Sequence, residues 1–155
     1  MQTAEVEAIT KSAIQMLIAR DGALLEIDVN ERSITHRLAI YIENLFPDEW
    51  DVDCEYNRLF DETKKIATSK KIFQSTDLST TVIDEHAMTV FPDIIVHKRN
   101  THENFVVIEV KKTTNRTSDE IDQGKLQAYK DQLGYAYAIF IRFKTGTKEI
   151  GVETF

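Results

Sequence analysis

Residues 90–96, VFPDIIV, and residues 105–111, FVVIEVK, are the two stretches of sequence that decide the fold. Both are short runs rich in β-branched residues and phenylalanine, a composition that is typical of strands. Residues 100–104, which lie between them, predict a hairpin loop. The two stretches are therefore predicted to form neighbouring strands of one sheet.

The second stretch carries two charged residues among apolar ones. Side chains alternate between the two faces of a strand, so Phe105, Val107, Glu109 and Lys111 are predicted to share one face. Charges buried on that face without partners would cost free energy. Two interpretations stay open at this point: a solvated ion pair at the end of a strand, or a functional site.

Helical periodicity precedes these strands. Apolar residues over 6–17 predict a first helix that ends at Gly22. A second helix is predicted to begin near Asp28, because Asp28 and Glu31 have the spacing of a capping box, and to end before Pro47. Glu31 would then lie at the head of the buried stripe of this helix.

A third helix and a further strand are predicted after residues 105–111. Thr117 and Glu120 have capping-box spacing, and Gly134 is placed to end the helix. Residues 135–143 predict a long apolar strand, and residues 148–152 predict a last edge strand.

The remaining segments complete the expected order of elements. Alternation of Val52, Cys54 and Tyr56 with polar residues predicts a half-buried strand, and residues 60–88 predict a short helix followed by a loop. The order is helix, helix, three strands, helix, strand. It favours an α/β fold with a mixed sheet flanked by helices.

Length and composition limit the class of protein. The chain has 155 residues, of which 42% are hydrophobic and 29% charged, which favours one globular domain over residues 1–155. No stretch is apolar for the ~18 residues that a membrane helix needs, and the acidic Glu5 and Glu7 are unlike a secretory signal. We therefore expect a cytoplasmic protein without membrane association. The single cysteine, Cys54, excludes an intrachain disulfide and a Cys-rich zinc site.

The net charge of −7 is unevenly distributed. Residues 1–59 contain 12 acidic and 5 basic residues, whereas residues 60–155 contain 14 of each. A nucleic-acid-binding face would therefore have to be local, with the acidic first part turned away. The four histidines lack the spacing of a zinc site, and the sequence has neither a Gly-rich phosphate loop nor a G-x-S-x-G elbow.

Two carboxylates and a lysine are predicted to converge. Asp93 opens the first strand, and a hairpin to the second could bring it close to Glu109, with Lys111 on the same face as Glu109. Oxygen ligands suit a hard cation such as Mg²⁺, and a lysine can orient or activate an attacking water. This combination is what metal-dependent phosphodiester hydrolysis requires.

The residues Pro92-Asp93, followed by Glu109-Val110-Lys111, resemble the motif of the PD-(D/E)XK nuclease superfamily. That superfamily includes many restriction endonucleases, Holliday-junction resolvases and repair exonucleases. The order of elements over residues 28–143 is similar to its αβββαβ core. The resemblance implies a restriction-endonuclease-like fold with an extra N-terminal helix, and a nuclease that hydrolyses DNA with Mg²⁺ or Mn²⁺.

By this resemblance Asp93 and Glu109 bind the metal ion, and together with Lys111 they form the catalytic set. Glu31 matches an additional metal-binding carboxylate of many members, although a capping role stays open for it. Some branches carry a Gln four positions before a Tyr on the next helix, whereas here Lys125 stands four positions before Tyr129. Lys125 is either a phosphate contact or a solvated helix lysine. A further candidate carboxylate, Glu55, could equally be the polar side of an edge strand.

The nucleic-acid-binding residues are expected on the motif strand and the helix after it. Those that we propose to contact phosphates are Lys112, Arg116 and Lys125, with basic residues 97–99 of the hairpin expected nearby. The expected partner is DNA, and a homodimer or a protein partner is expected because no separate targeting domain is evident. The alternative function is a catalytically inactive copy of the fold that serves as a protein-interaction or DNA-binding module.

Overall fold

The computed structural model describes residues 1–59, 62–63, 65–67, 82–84, 87–146 and 150–154, with side chains over 1–57 and 90–146. Its helices are Thr3–Glu26 (α1), Glu31–Glu43 (α2) and Asp119–Leu133 (α3). Its strands are Asp51–Cys54 (β1), Arg58–Leu59 (β2), Glu62–Thr63 (β3), Lys65–Ala67 (β4), Val82–Asp84 (β5), Ala87–Thr89 (β6), Ile94–His97 (β7), Asn104–Lys112 (β8), Tyr137–Phe143 (β9) and Ile150–Thr154 (β10). Within this part of the chain, no helix combines the length and the apolar character needed to cross a bilayer.

The main sheet has five strands in the order β1-β7-β8-β9-β10. Strands β8 and β9 are parallel, and the other neighbouring pairs are antiparallel. Parallel neighbours need a crossover connection, which α3 supplies between β8 and β9. The sheet is therefore mixed, as the order of the predicted elements suggested.

Helices cover both faces of this sheet. Helices α1 and α2 pack on one face, against Ile94, Ile108 and Ile141, whereas α3 packs on the other through Leu126 and Tyr129. Both faces of β7 and β8 are buried, as expected for strands covered from two sides. The predicted α/β class is thus confirmed, and the predicted order of helices and strands around the motif strand is found.

The ends of the helices differ from the predicted capping boxes by one or two residues. At α2 the cap is Asn30, whose side chain accepts from the Arg32 N–H at 2.9 Å, and not Asp28. At α3 the cap is Ser118, whose hydroxyl accepts from the Glu120 N–H at 3.3 Å, and not Thr117. Both caps satisfy a free N–H of the first turn, which several neighbouring polar side chains could do.

Two predicted stops behave differently. Gly134 ends α3 with φ +72°, the left-handed conformation that glycine adopts without strain, as predicted. Gly22 does not end α1, which is kinked at Asp21 and continues to Glu26. Buried Leu25 extends the apolar stripe of α1 beyond the glycine, so packing keeps the helix going.

Two face assignments are corrected. A register shift between Val96 and His97 puts Phe105 on the α1–α2 side, where it stacks on Trp50 with ring centroids 4.6 Å apart. Glu55 adopts φ +49° and breaks the alternation after β1, so Tyr56 packs on the α3 side rather than with Val52.

The helix predicted at the start of residues 60–88 is wrong for the residues described there. Glu62–Thr63 and Lys65–Ala67 are strands, and Lys65–Ala67 pairs with Ala87–Thr89. The rest of the predicted helix and loop falls mostly on residues 68–81, which lie outside the described residues. The strand predicted over 90–96 begins only at Ile94.

Candidate functional site

A pocket of about 500 Å³ opens where β7 begins and β8 ends, between the N-termini of α2 and α3. It collects six of the residues that the sequence singled out, and these are Glu31, Glu55, Asp93, Glu109, Lys111 and Lys125. Helix α2 ends where β1 begins, opposite His97 at the far end of β7, so its N-terminus lies at the near end, by the pocket. Helix α3 begins just after β8 ends, so its N-terminus lies at the same end of the sheet. Helix N-termini carry partial positive charge, which favours anions at this place.

The sheet register brings Asp93 opposite Glu109. Ile94 pairs with Ile108 in the β7–β8 hairpin, so the residue before Ile94 faces the residue after Ile108. Asp93 is fixed there because its Oδ2 accepts a hydrogen bond from the Val110 N–H at 2.7 Å. Asp93 and Glu109 therefore lie in the same pocket, as the hairpin predicted.

Burial and neighbouring negative charge disfavour the ionised form of both carboxyl groups. Burial raises the pKa of Asp93 to about 7, with a smaller contribution from the charge of Glu31, against the hydrogen bond from Val110. Burial and then the charge of Asp93 raise the pKa of Glu109 well above its usual range. Low dielectric and nearby like charge both oppose ionisation of a carboxyl group. A cation between the two groups would reverse this effect.

Glu109 is only 5% exposed and only partly satisfied. The Tyr129 hydroxyl of α3 forms a hydrogen bond with its carboxyl group. Its Oε1 is buried and has no hydrogen-bond partner within the part of the chain that the structure describes. An unpaired buried oxygen is costly, and in native proteins it calls for an explanation such as a bound ion.

Lys111 is directed toward α3. Its side chain is 2% exposed, and its Nζ lies 2.7 Å from Asp122 Oδ2 and 3.3 Å from Asp119 Oδ1. The surface-pair interpretation of Glu109 and Lys111 is thus wrong, since both residues are buried.

The carboxylate of Glu31 joins α2 to the motif strand. Its Oε2 accepts from the Lys112 N–H at 2.8 Å, so it tethers the backbone beyond Lys111 while lining the pocket. Glu55 also lines the pocket, and it pairs with Arg32 at 2.8 Å, where both side chains are well exposed.

The three residues expected to contact phosphates lie in different surroundings. Lys125 lines the pocket and lies 3.9 Å from Asp122. Lys112 points away from it, to Asp28 Oδ1 at 2.9 Å and to the Val29 carbonyl at 2.8 Å. Arg116 is exposed in the loop between β8 and α3, beside the pocket but not among its lining residues. Contact of these residues with nucleic acid stays a prediction.

The basic residues of the hairpin are not near the pocket. Asp93 comes just before the start of β7, whereas His97 is its last residue. The hairpin therefore lies at the end of β7 that is far from the pocket. Arg99 Nη2 is 2.5 Å from Asp53 Oδ1, and His97 Nε2 is 2.8 Å from Asp53 Oδ2. Burial alone would raise the pKa of Asp53, but the hydrogen bonds and charges of His97 and Arg99 lower this pKa to about 2. The expectation that residues 97–99 join the phosphate-contacting face is corrected.

Sequence reasoning missed two residues of the site. Asp122 was not singled out, although it pairs with Lys111 and lines the pocket. Tyr129 was named only in the comparison with the Gln and Tyr pattern and was given no role in the site, whereas its hydroxyl forms a hydrogen bond with Glu109. One available signal was the crossover, because α3 must start where β8 ends and its first turns must face the motif strand.

Carboxylate oxygens are the kind of ligand that a hard cation such as Mg²⁺ prefers. Across residues 1–57 and 90–146, no three His, Cys, Asp or Glu side chains are grouped so that they could enclose a metal ion. Mg²⁺ does not need such a group, because it is usually held by one or two carboxylates and completed by waters and substrate phosphates. The unpartnered Glu109 Oε1 and the neighbouring Asp93 are the two carboxyl groups in the pocket that could serve as such ligands.

Comparison with known proteins adds no family to these observations. No family model, curated protein or solved structure matches this chain. A proposal about function therefore depends on the chemistry of the pocket.

Proposed function

We propose that this protein is a divalent-metal-dependent nuclease that hydrolyses phosphodiester bonds in DNA and uses Mg²⁺ or Mn²⁺. The observation that carries the proposal is that Asp93 and Glu109 line one pocket and that the buried Glu109 Oε1 has no hydrogen-bond partner among the described residues. Burial disfavours the ionised form of both carboxyl groups, and the charge of Asp93 adds to this at Glu109. Such a pair is unfavourable alone and favourable around a cation. Lys111 lines the same pocket.

We further propose that the α/β unit is a restriction-endonuclease-like domain with α1 as an added N-terminal helix. The order α2, β1, β7, β8, α3, β9 supports this, as does the central position of β7 and β8 in the sheet. The small strands β2 to β6 would then be an insertion between the first and second strands of the core.

Each residue has a distinct part in the proposed reaction. Asp93 and Glu109 would hold the metal ion, and Glu31 would add negative charge beside Asp93. The bound ion would polarise the phosphodiester and lower the pKa of an attacking water. The Lys111 ammonium would orient that water or the phosphate, and Lys125 would contact a neighbouring phosphate. Tyr129 would keep the Glu109 carboxyl group oriented through its hydrogen bond.

The direct test is an assay of purified protein with Mg²⁺ or Mn²⁺ on single-stranded, duplex and branched DNA. Asp93→Asn and Glu109→Gln should abolish cleavage while the fold is kept, since both changes keep the shape of the side chain. Mg²⁺ should raise the melting temperature of the wild type but not of a variant that carries both Asp93→Asn and Glu109→Gln. Asp48→Asn, a change at an exposed turn residue, is the matched control and should cleave normally.

A second candidate function is a catalytically inactive module that binds DNA or a protein. The acidic excess of residues 1–59 favours it, because a negatively charged surface repels DNA and suits a protein partner. Absence of cleavage on every substrate with either metal, combined with retained binding of DNA or of a protein, would support the module and overturn the enzyme. A homodimer or a protein partner remains part of both proposals.

A further inference from the structure

The Lys111 ammonium lies in a row of alternating charges that the sequence motif does not contain. We call this row the Lys111 ion-pair cluster, and it consists of Arg142, Asp119, Lys111, Asp122 and Lys125. Arg142 contacts Asp119, Lys111 lies between the two aspartates, and Lys125 lies 3.9 Å from Asp122. The cluster thus joins β8, β9 and the first turns of α3.

Asp122 makes the closer contact with Lys111. Its Oδ2 is 2.7 Å from the ammonium, whereas Asp119 Oδ1 is 3.3 Å away. The other oxygen of Asp119, Oδ2, contacts Arg142. Asp122 is the better covered of the two aspartates, with 16% of its side chain exposed against 29% for Asp119. A charge-assisted hydrogen bond of this length in a covered site is strong and directional.

The direction of the Lys111 side chain is not set by Glu109. Glu109 Oε1 has no partner in the described residues, so no ion pair to that oxygen holds the ammonium. Lys111 and Glu109 share a face of β8, but a four-carbon stem allows many rotamers and costs entropy to fix. The ammonium can be held at one place only by a group outside the strand.

We propose that Asp122 is the positioning residue of this site: it fixes the Lys111 ammonium at the wall of the pocket, where the reacting phosphate would lie. This inference rests on the proposed nuclease function for its kinetic consequence. The geometric part of the inference, that Asp122 immobilises Lys111, does not depend on the nuclease function. Misplacement of a catalytic group by about 1 Å can reduce a rate about 100-fold.

The kinetic test uses substitutions of matched size. Asp122→Asn should lower kcat about 10- to 100-fold with little change in KM, because substrate binding is left intact while the ammonium is released. Asp122→Glu should recover part of the rate, since it restores the carboxylate. Glu120→Gln removes a charge from an exposed residue of the same helical turn and should cleave like the wild type.

A double-mutant cycle separates positioning from a structural role. If Asp122 acts through Lys111, then Asp122→Asn should lower kcat by a much smaller factor in a Lys111→Arg background, which keeps a cation and hence a measurable rate, than in the wild type. A further loss as large as that in the wild type would show that Asp122 acts independently, and it would overturn the inference.

An NMR measurement tests the geometric content without any activity. The side-chain NH₃⁺ signal of Lys111 should be observable in the wild type, because a covered ion-paired ammonium exchanges slowly with water. The signal should be lost in Asp122→Asn and kept in Glu120→Gln. Persistence of the signal in Asp122→Asn would overturn the inference, whereas its loss in a protein that cleaves no DNA would refute only the nuclease proposal.

Discussion

At the scale of single residues, the site combines two buried carboxyl groups whose charges the surroundings disfavour. Burial dominates at both Asp93 and Glu109, and the charge of Asp93 adds to it at Glu109. Ionisation of these buried carboxyl groups costs free energy that the uncharged side chains of Asn and Gln, which have similar shapes, would not cost. Such destabilising arrangements are typical of functional sites, where ligand binding offsets them.

Asp93→Asn should stabilise the protein without metal, by about 1–3 kcal/mol at pH 8. The native pKa of Asp93, about 7, exceeds its ordinary value of 3.8. The folded state therefore binds more protons than the unfolded state between these pH values, and wild-type stability falls as pH rises through them. The gain from Asp93→Asn should be smallest near pH 4 and largest above pH 7. Urea unfolding from pH 4 to pH 8 measures it.

Asp48→Asn, at an exposed turn, is the control for this series and should show no pH-dependent gain. Saturating Mg²⁺ at pH 8 should raise the stability of the wild type above that of Asp93→Asn. A constant difference between wild type and Asp93→Asn over the whole pH range would mean that the carboxyl group of Asp93 titrates normally.

Lys111→Ala should abolish cleavage, and Lys112→Ala should leave most of it. The two lysines are neighbours in sequence, but only Lys111 shares the face of Glu109, whereas Lys112 pairs with Asp28 at 2.9 Å outside the pocket. Single-turnover cleavage with saturating Mg²⁺ measures the difference. Equal losses in the two variants would indicate a general phosphate-binding patch instead of a specific role for Lys111.

At the scale of elements, the crossover helix α3 carries much of the site. Its early turns supply Asp119 and Asp122 to Lys111, and its middle supplies Tyr129 to Glu109. Ser118 fixes where the helix begins and Gly134 fixes where it ends. The position of α3 therefore controls the surroundings of Glu109 and Lys111.

Gly134→Ala should destabilise the protein by about 1 kcal/mol. Nothing lies within 4 Å of the place where a Cβ would be added, so the cost arises from φ +72° and not from a clash. Gly134→Asn should cost less, because asparagine tolerates the left-handed conformation better than alanine. Thermal unfolding of the three proteins compares them, and equal melting temperatures for wild type and Gly134→Ala would contradict a strained cap.

At the scale of the whole molecule, the positions of the basic side chains predict where DNA would bind. Strand β7 carries the pocket at one end, and the charges of Arg99 and Asp53 are paired at the other. Lys125 lies in the pocket and Arg116 is exposed beside it. We expect the phosphate backbone to follow these two residues.

Arg116→Ala and Lys125→Ala should each weaken DNA binding and flatten its dependence on salt. Every phosphate contact that is lost changes the slope of log affinity against log salt by about 0.9 on duplex DNA. Binding is measured by titration over a range of salt concentrations, in a Glu109→Gln background so that DNA is not cut. Lys11→Ala and Arg20→Ala, on α1, are the controls and should change neither quantity.

Arg99→Ala is a further comparison. Because Asp51 and Asp53 already pair with this residue, its loss should not change the salt dependence. Insensitivity of binding to Arg116→Ala and Lys125→Ala together would place the binding face elsewhere and favour the interaction-module alternative.

The sequence by itself determined the order of the main helices and strands, and it singled out two of the carboxyl groups that line the pocket, those of Asp93 and Glu109. Periodicity and turn residues are local signals, so they locate α2, α3 and the β7–β8 hairpin to within a few residues. The alternation along β8 likewise indicated that Glu109 and Lys111 share a face. Boundaries were less certain, because Asp28 or Asn30, and Thr117 or Ser118, could each cap the same helix.

Only the tertiary structure decided which groups meet these charges. The crossover helix brings Asp122 to Lys111 across 11 positions of sequence, and Glu31 reaches the Lys112 N–H across 81. A register shift between β7 and β8 puts Phe105 on the face opposite to the predicted one. The cationic residues of the hairpin lie at the end of β7 that is far from the pocket. These outcomes depend on which elements pack together and in which register, and no local pattern in the sequence encodes such long-range contacts.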